Sequence, residues 1–394
     1  MTDLRDALTF NERQVFESVL GGRTTSRAAI AEATGLTPPT VSRLVSGLIE
    51  ARLIEEAADR SGRPGQPRRV LSVRRGQAYS IGVNFIHGRF DLAIVDLCGE
   101  VVAVDSVELE QITAEAVAEL SADRAAAALG AHRIPAKRVV GAGFSLPGGF
   151  AQDGSVLMAH EFFPDLHGRA LAPIFSEALG LPCSMDTDGA CATLGEFLYG
   201  AAVGYDTFFL VHLGHGVGGG AVIDRSLFRG AHGNASKPGV LFPYGAPRPS
   251  GQDLVETLHA AGHQITDIAD LSDVGDGAAP LIEAWLDRAA AQLAELGRVV
   301  TAFLDPEVIF VGGRLPERFN RAIAERLSAT TLEGPSRGLL NAPFLPSGLG
   351  EHSGVLGAAS LPIFRSFFSG SKTSAGNSYS NGRRRPSGES NSAG

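Results

Sequence analysis

The first 50 residues carry apolar side chains at the spacing of three short amphipathic helices. Residues 11–20 and 26–33 each gather their apolar positions on one face, and Gly35 is expected to end the second helix. Thr37 and Pro38 mark the start of a third helix, because threonine is a preferred N-cap and proline loses no hydrogen bond at the first helical position. The apolar residues of this helix form one stripe: Val41, Leu44, Val45, Leu48 and Ile49. The stripe predicts a helix that packs on the first two.

The third predicted helix leaves a small polar surface on its other side. The surface consists of short or hydrogen-bonding side chains and one arginine: Thr37, Pro39, Thr40, Ser42, Arg43 and Ser46. A helix that follows a tight turn and carries such a surface is typical of the recognition helix of a helix-turn-helix, which reads base edges in the major groove. A protein-interaction module is the alternative that the same pattern allows.

A hairpin is predicted after the three helices, from strands at residues 52–56 and 68–73. The loop between the strands is rich in glycine, proline and arginine. Such a wing is suited to contact phosphates or the minor groove, here through Arg60, Arg63, Gln66 and Arg68. Residues 1–75 are therefore predicted to form a winged helix-turn-helix that binds DNA.

From residue 79 onward the pattern alternates between strands and helices. The predicted strands are residues 79–83, 90–95, 101–104, 139–144, 183–186, 208–213, 219–223 and 308–311. The predicted helices are residues 114–131, 170–179, 189–198 and about 280–304. The second half of this region repeats the order of the first, so the fold class is α/β with an internal duplication.

Charge divides the chain in a way that supports a nucleic-acid partner at one end. Residues 1–75 hold 12 Arg and 9 Asp or Glu, residues 371–394 have a net charge of +3, and the total of −9 leaves −15 for the middle. A basic module before an acidic body is the distribution expected when one end meets a polyanion. The chain has no long uncharged apolar run and no signal-like start, so we expect a soluble cytoplasmic protein without a membrane partner. Its three scattered cysteines predict neither disulfides nor a thiolate metal site.

Four motifs in the large region carry a resemblance to a known family. They are Gly143-Phe-Ser-Leu-Pro-Gly148, Asp186-Thr-Asp-Gly-Ala190, the glycine-rich segment 213–220, and Leu304-Asp-Pro at the start of the segment 304–313. In order and spacing they resemble the ROK family of repressors, open reading frames and sugar kinases. With the helix-turn-helix in front, residues 10–368 resemble the repressor branch of that family.

The resemblance implies a two-lobe actin-like domain over residues 76–368. The lobes are expected at about 76–193 and 194–350, with a C-terminal helix that returns to the first lobe. Residues 369–394 are predicted to be a disordered tail by composition, and the basic cluster at 383–385 either adds nonspecific DNA affinity or is inert.

The phosphate-binding features of ROK kinases are incomplete in this chain. Asn84 stands near the position of the metal-binding acid, and bulky residues replace the glycines of the first phosphate loop. We therefore expect no phosphoryl transfer and no cofactor. The second loop, Gly214 to Gly220, keeps its glycines, with His215 in place of the usual threonine. It is interpreted as a tight turn or, slightly less favoured, as a nucleotide loop.

The sugar site of the family is partly retained. By resemblance, the sugar-binding positions are Gly148, Thr187, Asp188, Lys237 and Glu256. Asp188 matches the catalytic base and would accept a hydrogen bond from a sugar hydroxyl. Lys237 replaces a glutamate, which either suits an acidic or phosphorylated sugar or marks a site that has lost its ligand.

No metal is expected. Val240 replaces a zinc-binding histidine and the family's zinc cysteines are missing. His259 and His263 have a metal-compatible spacing on a predicted helix, but no third ligand accompanies them and a solvated pair is favoured.

The predicted function is a sequence-specific DNA-binding transcriptional regulator, most typically a repressor, that responds to a sugar. Its expected partners are a double-stranded DNA operator, a sugar or sugar-phosphate effector, and further copies of the chain in a homodimer or homotetramer. The alternatives are a ligand-independent DNA-binding regulator and, less favoured, an active sugar kinase.

Overall fold

The structure is a computed structural model of the 394-residue chain, and it describes residues 8–20, 26–58, 69–86, 88–109, 112–151, 156–159, 163–330 and 341–370. The N-terminal unit consists of α1 (Phe10–Leu20), α2 (Arg27–Thr34), α3 (Pro38–Glu50), β1 (Ile54–Ala58) and β2 (Arg69–Val73). The two strands pair antiparallel, as the predicted hairpin requires. Arg60, Arg63, Gln66 and Arg68, proposed for the wing, lie outside the described residues, as does the tail from residue 371.

Local capping explains where the N-terminal helices begin and end. The Ser26 hydroxyl accepts a hydrogen bond from the Ala29 amide, and Gly35, with a φ of 69°, ends α2 in the left-handed conformation. Thr37 is the N-cap residue of α3, as predicted, although its hydroxyl bonds to the Thr40 hydroxyl at 2.9 Å and not to a backbone amide. The strand predicted at residues 52–56 begins only at Ile54, because Arg52 has a φ of 61° that no strand accommodates.

Two five-stranded sheets form the rest of the chain. The strands of the first sheet are β3 (Tyr79–Ile86), β4 (Gly88–Asp96), β5 (Val101–Leu109), β6 (Val139–Leu146) and β9 (Cys183–Thr187). The strands of the second are β10 (Phe208–Leu213), β11 (Val217–Ile223), β12 (Ser226–Leu227), β13 (Val308–Gly313) and β14 (Phe344–Pro346). A small hairpin of β7 (Gly148–Phe150) and β8 (Leu157–Ala159) follows β6.

The two sheets have the same topology. Their orders are β5-β4-β3-β6-β9 and β12-β11-β10-β13-β14, so in both sheets the strand that comes first in the chain lies in the middle. In both, the first three strands are antiparallel neighbours and the last two join in parallel. The predicted duplication is therefore confirmed.

Helices cover both sheets and fill the space between them. The helices of this region are α4 (Ala114–Ala131), α5 (Leu171–Leu179), α6 (Asp188–Tyr199), α7 (Gly251–Ala260), α8 (Ala279–Leu304), α9 (Glu317–Ser328) and α10 (Ser353–Phe367). The α4 and α5 helices pack on the first sheet, and α8 and α9 pack on the second. Within the part of the chain that the structure describes, none of the helices is long and apolar enough to cross a membrane.

The central helices α6 and α10 approach their neighbours so closely that only glycine fits at the contacts. A Cβ atom on Gly143 of β6 would lie 1.8 Å from the Ala358 carbonyl oxygen of α10. On the other side of the interface, a Cβ atom on Gly189 of α6 would lie 2.5 Å from the backbone of Gly219 in β11. Glycine at these positions lets one helix pair contact both sheets.

A buried carboxylate joins the end of α6 to the segment that precedes α10. The Glu196 side chain is fully buried and accepts hydrogen bonds from the amides of Ala201 at 2.8 Å, Gly348 at 3.0 Å and Leu349 at 2.9 Å. Hydrogen bonds to a charged acceptor are stronger than neutral ones, and here they satisfy three partly buried backbone donors. Glu196 therefore fixes α10 relative to α6.

We expect Glu196→Ala to lower the free energy of unfolding by about 2 kcal/mol or more, because hydrogen bonds to a charged group contribute about 1.5–3 kcal/mol each and the amides left behind are partly buried. Denaturant or thermal unfolding measures this loss. Glu119→Ala, which removes an exposed glutamate from α4, is the matched control and should change the free energy by at most about 0.5 kcal/mol. Equal effects of the two substitutions would contradict the role of Glu196.

Candidate functional site

The polar face of α3 points away from the body of the N-terminal unit. Val41, Leu44, Val45 and Leu48 are buried against α1 and α2. The residues proposed for DNA contact lie on the opposite side: Thr37, Pro39, Arg43 and Ser46 are exposed, and Thr40 and Ser42 are partly exposed. The helix thus presents short polar side chains and one guanidinium to solvent.

Arg27 of α2 supports this face and was missed by the sequence analysis. Its Nη1 donates to the Ser42 carbonyl oxygen at 3.0 Å, and its Nε lies 3.1 Å from a carboxylate oxygen of Glu56 in β1. The hydrogen bond from Arg27 is the main cause that lowers the pKa of Glu56. Arg27 therefore holds α2, α3 and the hairpin in one arrangement, a role that only the folded geometry reveals.

A cavity of about 1580 Å³ opens between the two sheets. Its walls include the ends of β3 and β6, the first residues of α6, the β10–β11 loop and the residues that follow β13. Ligands of α/β proteins commonly bind at the carboxyl ends of parallel strands, and a typical small-molecule site occupies about 300–1000 Å³. The cavity has room for a ligand larger than a single sugar ring.

Asp188 and His212 meet at the floor of the cavity. Asp188 begins α6, where its carboxylate accepts a hydrogen bond from the Gly189 amide at 2.7 Å. The His212 side chain is buried, and its Nδ1 has no hydrogen-bond partner among the described residues. Burial lowers the pKa of His212 and the Asp188 charge partly opposes this effect. A neutral imidazole beside a carboxylate can exchange hydrogen bonds with hydroxyl groups.

Thr187 lies beside Asp188, but its hydroxyl caps the N-terminus of α6. It accepts a hydrogen bond from the Ala190 amide at 3.4 Å as the N-cap of α6. The side chain is also largely buried, so its proposed contact with a sugar stays a prediction.

Lys237 links the two halves of the cavity. Its ammonium group donates to the Gly148 carbonyl oxygen at 2.9 Å, and a Cβ atom on Gly149 would lie 2.2 Å from its Nζ. Burial lowers the pKa of Lys237, while the charges of Asp188 and Asp186 oppose this shift. The predicted sugar-site residues Gly148, Asp188 and Lys237 therefore lie together, and Lys237 is held by the protein itself.

Glu256 stands apart from these residues. It lies on an exposed face of α7, lines the cavity, and accepts a hydrogen bond from Gln252 at 3.0 Å. Helix α7 ends at Ala260, so the helical spacing predicted for His259 and His263 is wrong. Among the residues described here, no three His, Cys, Asp or Glu side chains are grouped to hold a metal ion.

An acidic residue of the neighbouring strand lies opposite Asn84. Antiparallel pairing of β3 with β4 places Asp91 across from Asn84, and both line the cavity. The Asp91 carboxylate is engaged: its Oδ1 accepts from Arg89 at 2.7 Å and from the Ser106 hydroxyl at 2.6 Å. The position of the family's metal-binding acid is still occupied by Asn84.

The glycine-rich loop divides into two parts. A Cβ atom on Gly214, Gly216 or Gly218, which line the cavity, would meet no atom closer than 3.6 Å. A Cβ atom on Gly220 would lie 2.2 Å from the Thr193 hydroxyl of α6. The first part leaves space for a ligand, and the second part serves the packing of α6.

Comparisons with known proteins agree with this geometry. A model of the ROK family matches residues 80–242, and a model of the IclR helix-turn-helix domain matches residues 14–58. The chain is 44% identical over 378 residues to the uncharacterized protein y4fQ of Sinorhizobium fredii, covering 96% of both chains. It is 21% identical to the xylose repressor of Bacillus subtilis, covering 90% of this chain and 94% of that protein.

Two solved structures share the fold. A ROK family transcriptional regulator, described as a homologue of the E. coli MLC protein, matches 92% of this chain and 96% of its own with a TM-score of 0.68 and 21% identity. A ROK family glucokinase from Streptomyces griseus in complex with glucose and AMPPNP matches 72% of this chain and 99% of its own, with a TM-score of 0.57 and 24% identity. The regulator covers the N-terminal unit as well as the two sheets.

Proposed function

Because the chain belongs to the ROK family, we propose that it is a DNA-binding transcriptional repressor whose operator affinity is set by a sugar or sugar derivative in the cavity. The observation that carries the proposal is the exposed polar face of α3 on a helix-turn-helix that shares a hydrophobic core with the cavity-bearing body. The similarity to the xylose repressor of Bacillus subtilis, which extends over 90% of this chain, supports the same function.

The proposed DNA contacts are the exposed face of α3 and the wing. Arg43 is the longest side chain on that face and reads a base edge, while Thr37, Thr40, Ser42 and Ser46 contact bases or phosphates. The active form is a cytoplasmic homodimer or homotetramer, since paired helix-turn-helix units read half-sites about 34 Å apart.

The proposed effector contacts are Asp188 and His212 at the cavity floor, with Gly148 and Lys237 beside them and Glu256 at α7. A sugar presents several hydroxyl groups, and a carboxylate with a neutral imidazole can accept and donate hydrogen bonds to them. The kinase alternative is less favoured because the Asp91 carboxylate is already held by Arg89 and Ser106.

The junction between the DNA-binding unit and the body is tightly packed. The rings of Phe16 in α1 and Phe367 in α10 lie 5.1 Å apart, within one apolar cluster that also contains residues of α6 and the second sheet. The buried Glu17 carboxylate lies 2.7 Å from Nε of Arg225 and also accepts from the Ser369 hydroxyl at 2.9 Å. Arg225 in turn stacks over the Phe197 ring of α6, with 5.2 Å from guanidinium carbon to ring centroid.

Residues 225–237 form a strap that runs from this junction to the cavity. At one end Arg225 contacts Glu17, and in the middle Arg229 forms an ion pair with the buried Asp186 at 3.0 Å. At the other end the Asn234 side chain makes two hydrogen bonds with the backbone of Phe150, and Lys237 bonds to Gly148. A ligand that moves β7 or Lys237 therefore acts on a segment that also contacts the DNA-binding unit.

For the DNA face, we expect Arg43→Ala to weaken binding to a selected operator by about 1–3 kcal/mol with a smaller effect on random DNA, because a base contact discriminates between sequences. Fluorescence anisotropy at fixed salt measures both affinities. Arg321→Ala, on the exposed side of α9, is the control and should leave them unchanged. An equal loss on both DNAs would assign Arg43 to a phosphate instead.

For the junction, we expect Arg225→Ala to uncouple the cavity from the DNA-binding unit. The sugar that most stabilises the wild-type protein in a thermal-shift panel should still bind with an affinity within about twofold, since Arg225 lies outside the cavity lining. In Arg225→Ala, the change that this sugar causes in operator affinity should fall well below the 5–150-fold range typical of allosteric coupling. Calorimetry and operator titration, with Arg298→Ala as the control, measure the two quantities. An unchanged effect of the sugar on operator affinity would contradict the coupling.

A further inference from the structure

A guanidinium group that the family resemblance does not assign enters the cavity at the end of β13. Gly313, with a φ of 117°, turns the chain, and the Arg314 amide bonds to the Leu213 carbonyl oxygen at 2.7 Å. The turn directs the partly buried Arg314 side chain toward the glycine loop, where its Cδ would lie 3.6 Å from a Cβ atom on Gly214. Arg314 is therefore fixed at its base and lines the cavity.

The group that contacts Arg314 is neutral. Its Nη1 donates to Nδ1 of His215 at 2.8 Å, so that imidazole nitrogen carries no proton. The other ring nitrogen, Nε2, lies 4.0 Å from a carboxylate oxygen of Asp267. The series Asp267, His215, Arg314 orients the guanidinium and leaves it without an ion pair to any carboxylate in the part of the chain that the structure describes.

The electrostatic environment of Arg314 favours an anionic ligand. Burial lowers the pKa of Arg314, and the charges of Asp267, Asp188 and Asp91 oppose this shift only through space. Arg89 of the first sheet faces Arg314 closely enough to add to the lowering. Arg89 is ion-paired with Asp91 at 2.7 Å, whereas no carboxylate among the described residues contacts Arg314, so the donors of Arg314 can turn to an anionic ligand.

Lys237 is less suited to this role. Its ammonium group already donates to the Gly148 carbonyl oxygen at 2.9 Å. The guanidinium of Arg314 also has several donors in a planar fork, which matches the oxygen atoms of a phosphate better than an ammonium group does.

We propose that Arg314, oriented by His215 and aided by Arg89, binds the phosphate of a sugar phosphate whose hydroxyl groups contact Asp188. This inference rests on the proposed function and names the chemical class of the effector. The phosphate bridges the two walls, because Arg89 belongs to β4 and Arg314 follows β13.

The first experiment uses inorganic phosphate as a probe. Thermal unfolding of the full-length protein is recorded in millimolar phosphate and in sodium chloride of equal ionic strength. We expect phosphate to raise the melting temperature of the wild type and of Arg298→Gln, which removes a surface arginine from α8, but not of Arg314→Gln. Equal stabilisation of Arg314→Gln and the wild type would overturn the proposal.

The second experiment identifies the source of the phosphate. Calorimetry compares hexose and amino-sugar 6-phosphates with their neutral sugars and with ATP. We expect at least one sugar phosphate to bind tenfold tighter than its neutral sugar, and Arg314→Gln to remove that difference. Arg314→Lys keeps the charge but loses the fork and should bind with intermediate affinity, provided that circular dichroism shows it folded.

Three outcomes would overturn the proposal. Neutral sugars could bind as tightly as their phosphates, or ATP could bind tighter than every sugar phosphate. In the third outcome, inorganic phosphate stabilises the protein but none of the sugar phosphates binds. Operator binding by the same variants, measured without any sugar, separates this failure from failure of the proposed function. A wild-type protein that binds its operator and responds to neutral sugars would retain the function and lose only the phosphate site.

Discussion

The close contact of α6 and α10 with both sheets is the constraint on which the rest of the structure depends. Backbone atoms occupy the space where side chains of Gly143 and Gly189 would project, so neither helix can move independently of the sheet beside it. Glu196 adds three hydrogen bonds that join the end of α6 to the segment before α10. A displacement of Asp188, the first residue of α6, is therefore transmitted to the elements that pack on the C-terminal end of this helix.

The DNA-binding unit is attached to that same framework. Phe16 packs on Phe367 of α10, and Glu17 binds Arg225, which stacks on Phe197 near the end of α6. Close-packed interiors of this kind have low compressibility and transmit strain. The same packing that stabilises the chain thus gives a physical route between the cavity and α3.

Local features were predictable from the sequence, and contacts between distant segments were not. Helix α3, the Gly35 terminus and the repeated strand order follow from short-range patterns that the fold preserves. Asp91 could have been placed opposite Asn84 by pairing β3 with β4 as a hairpin, but its bond to Ser106 also depends on the pairing of β4 with β5. The contacts of Arg314 with His215 and of Arg225 with Glu17 gave no local signal, since these partners lie 99 and 208 residues away in the chain.

The most direct test of the account is the operator affinity of the wild type and of Asp188→Asn across a panel of neutral, acidic and phosphorylated sugars. The account predicts that at least one compound changes the wild-type dissociation constant by fivefold or more, within the range of typical allosteric coupling. Asp188→Asn should bind the operator with wild-type affinity in the absence of sugar and show no such change. A panel without effect on the wild type, or an equal effect on both proteins, would contradict control of DNA binding from this cavity.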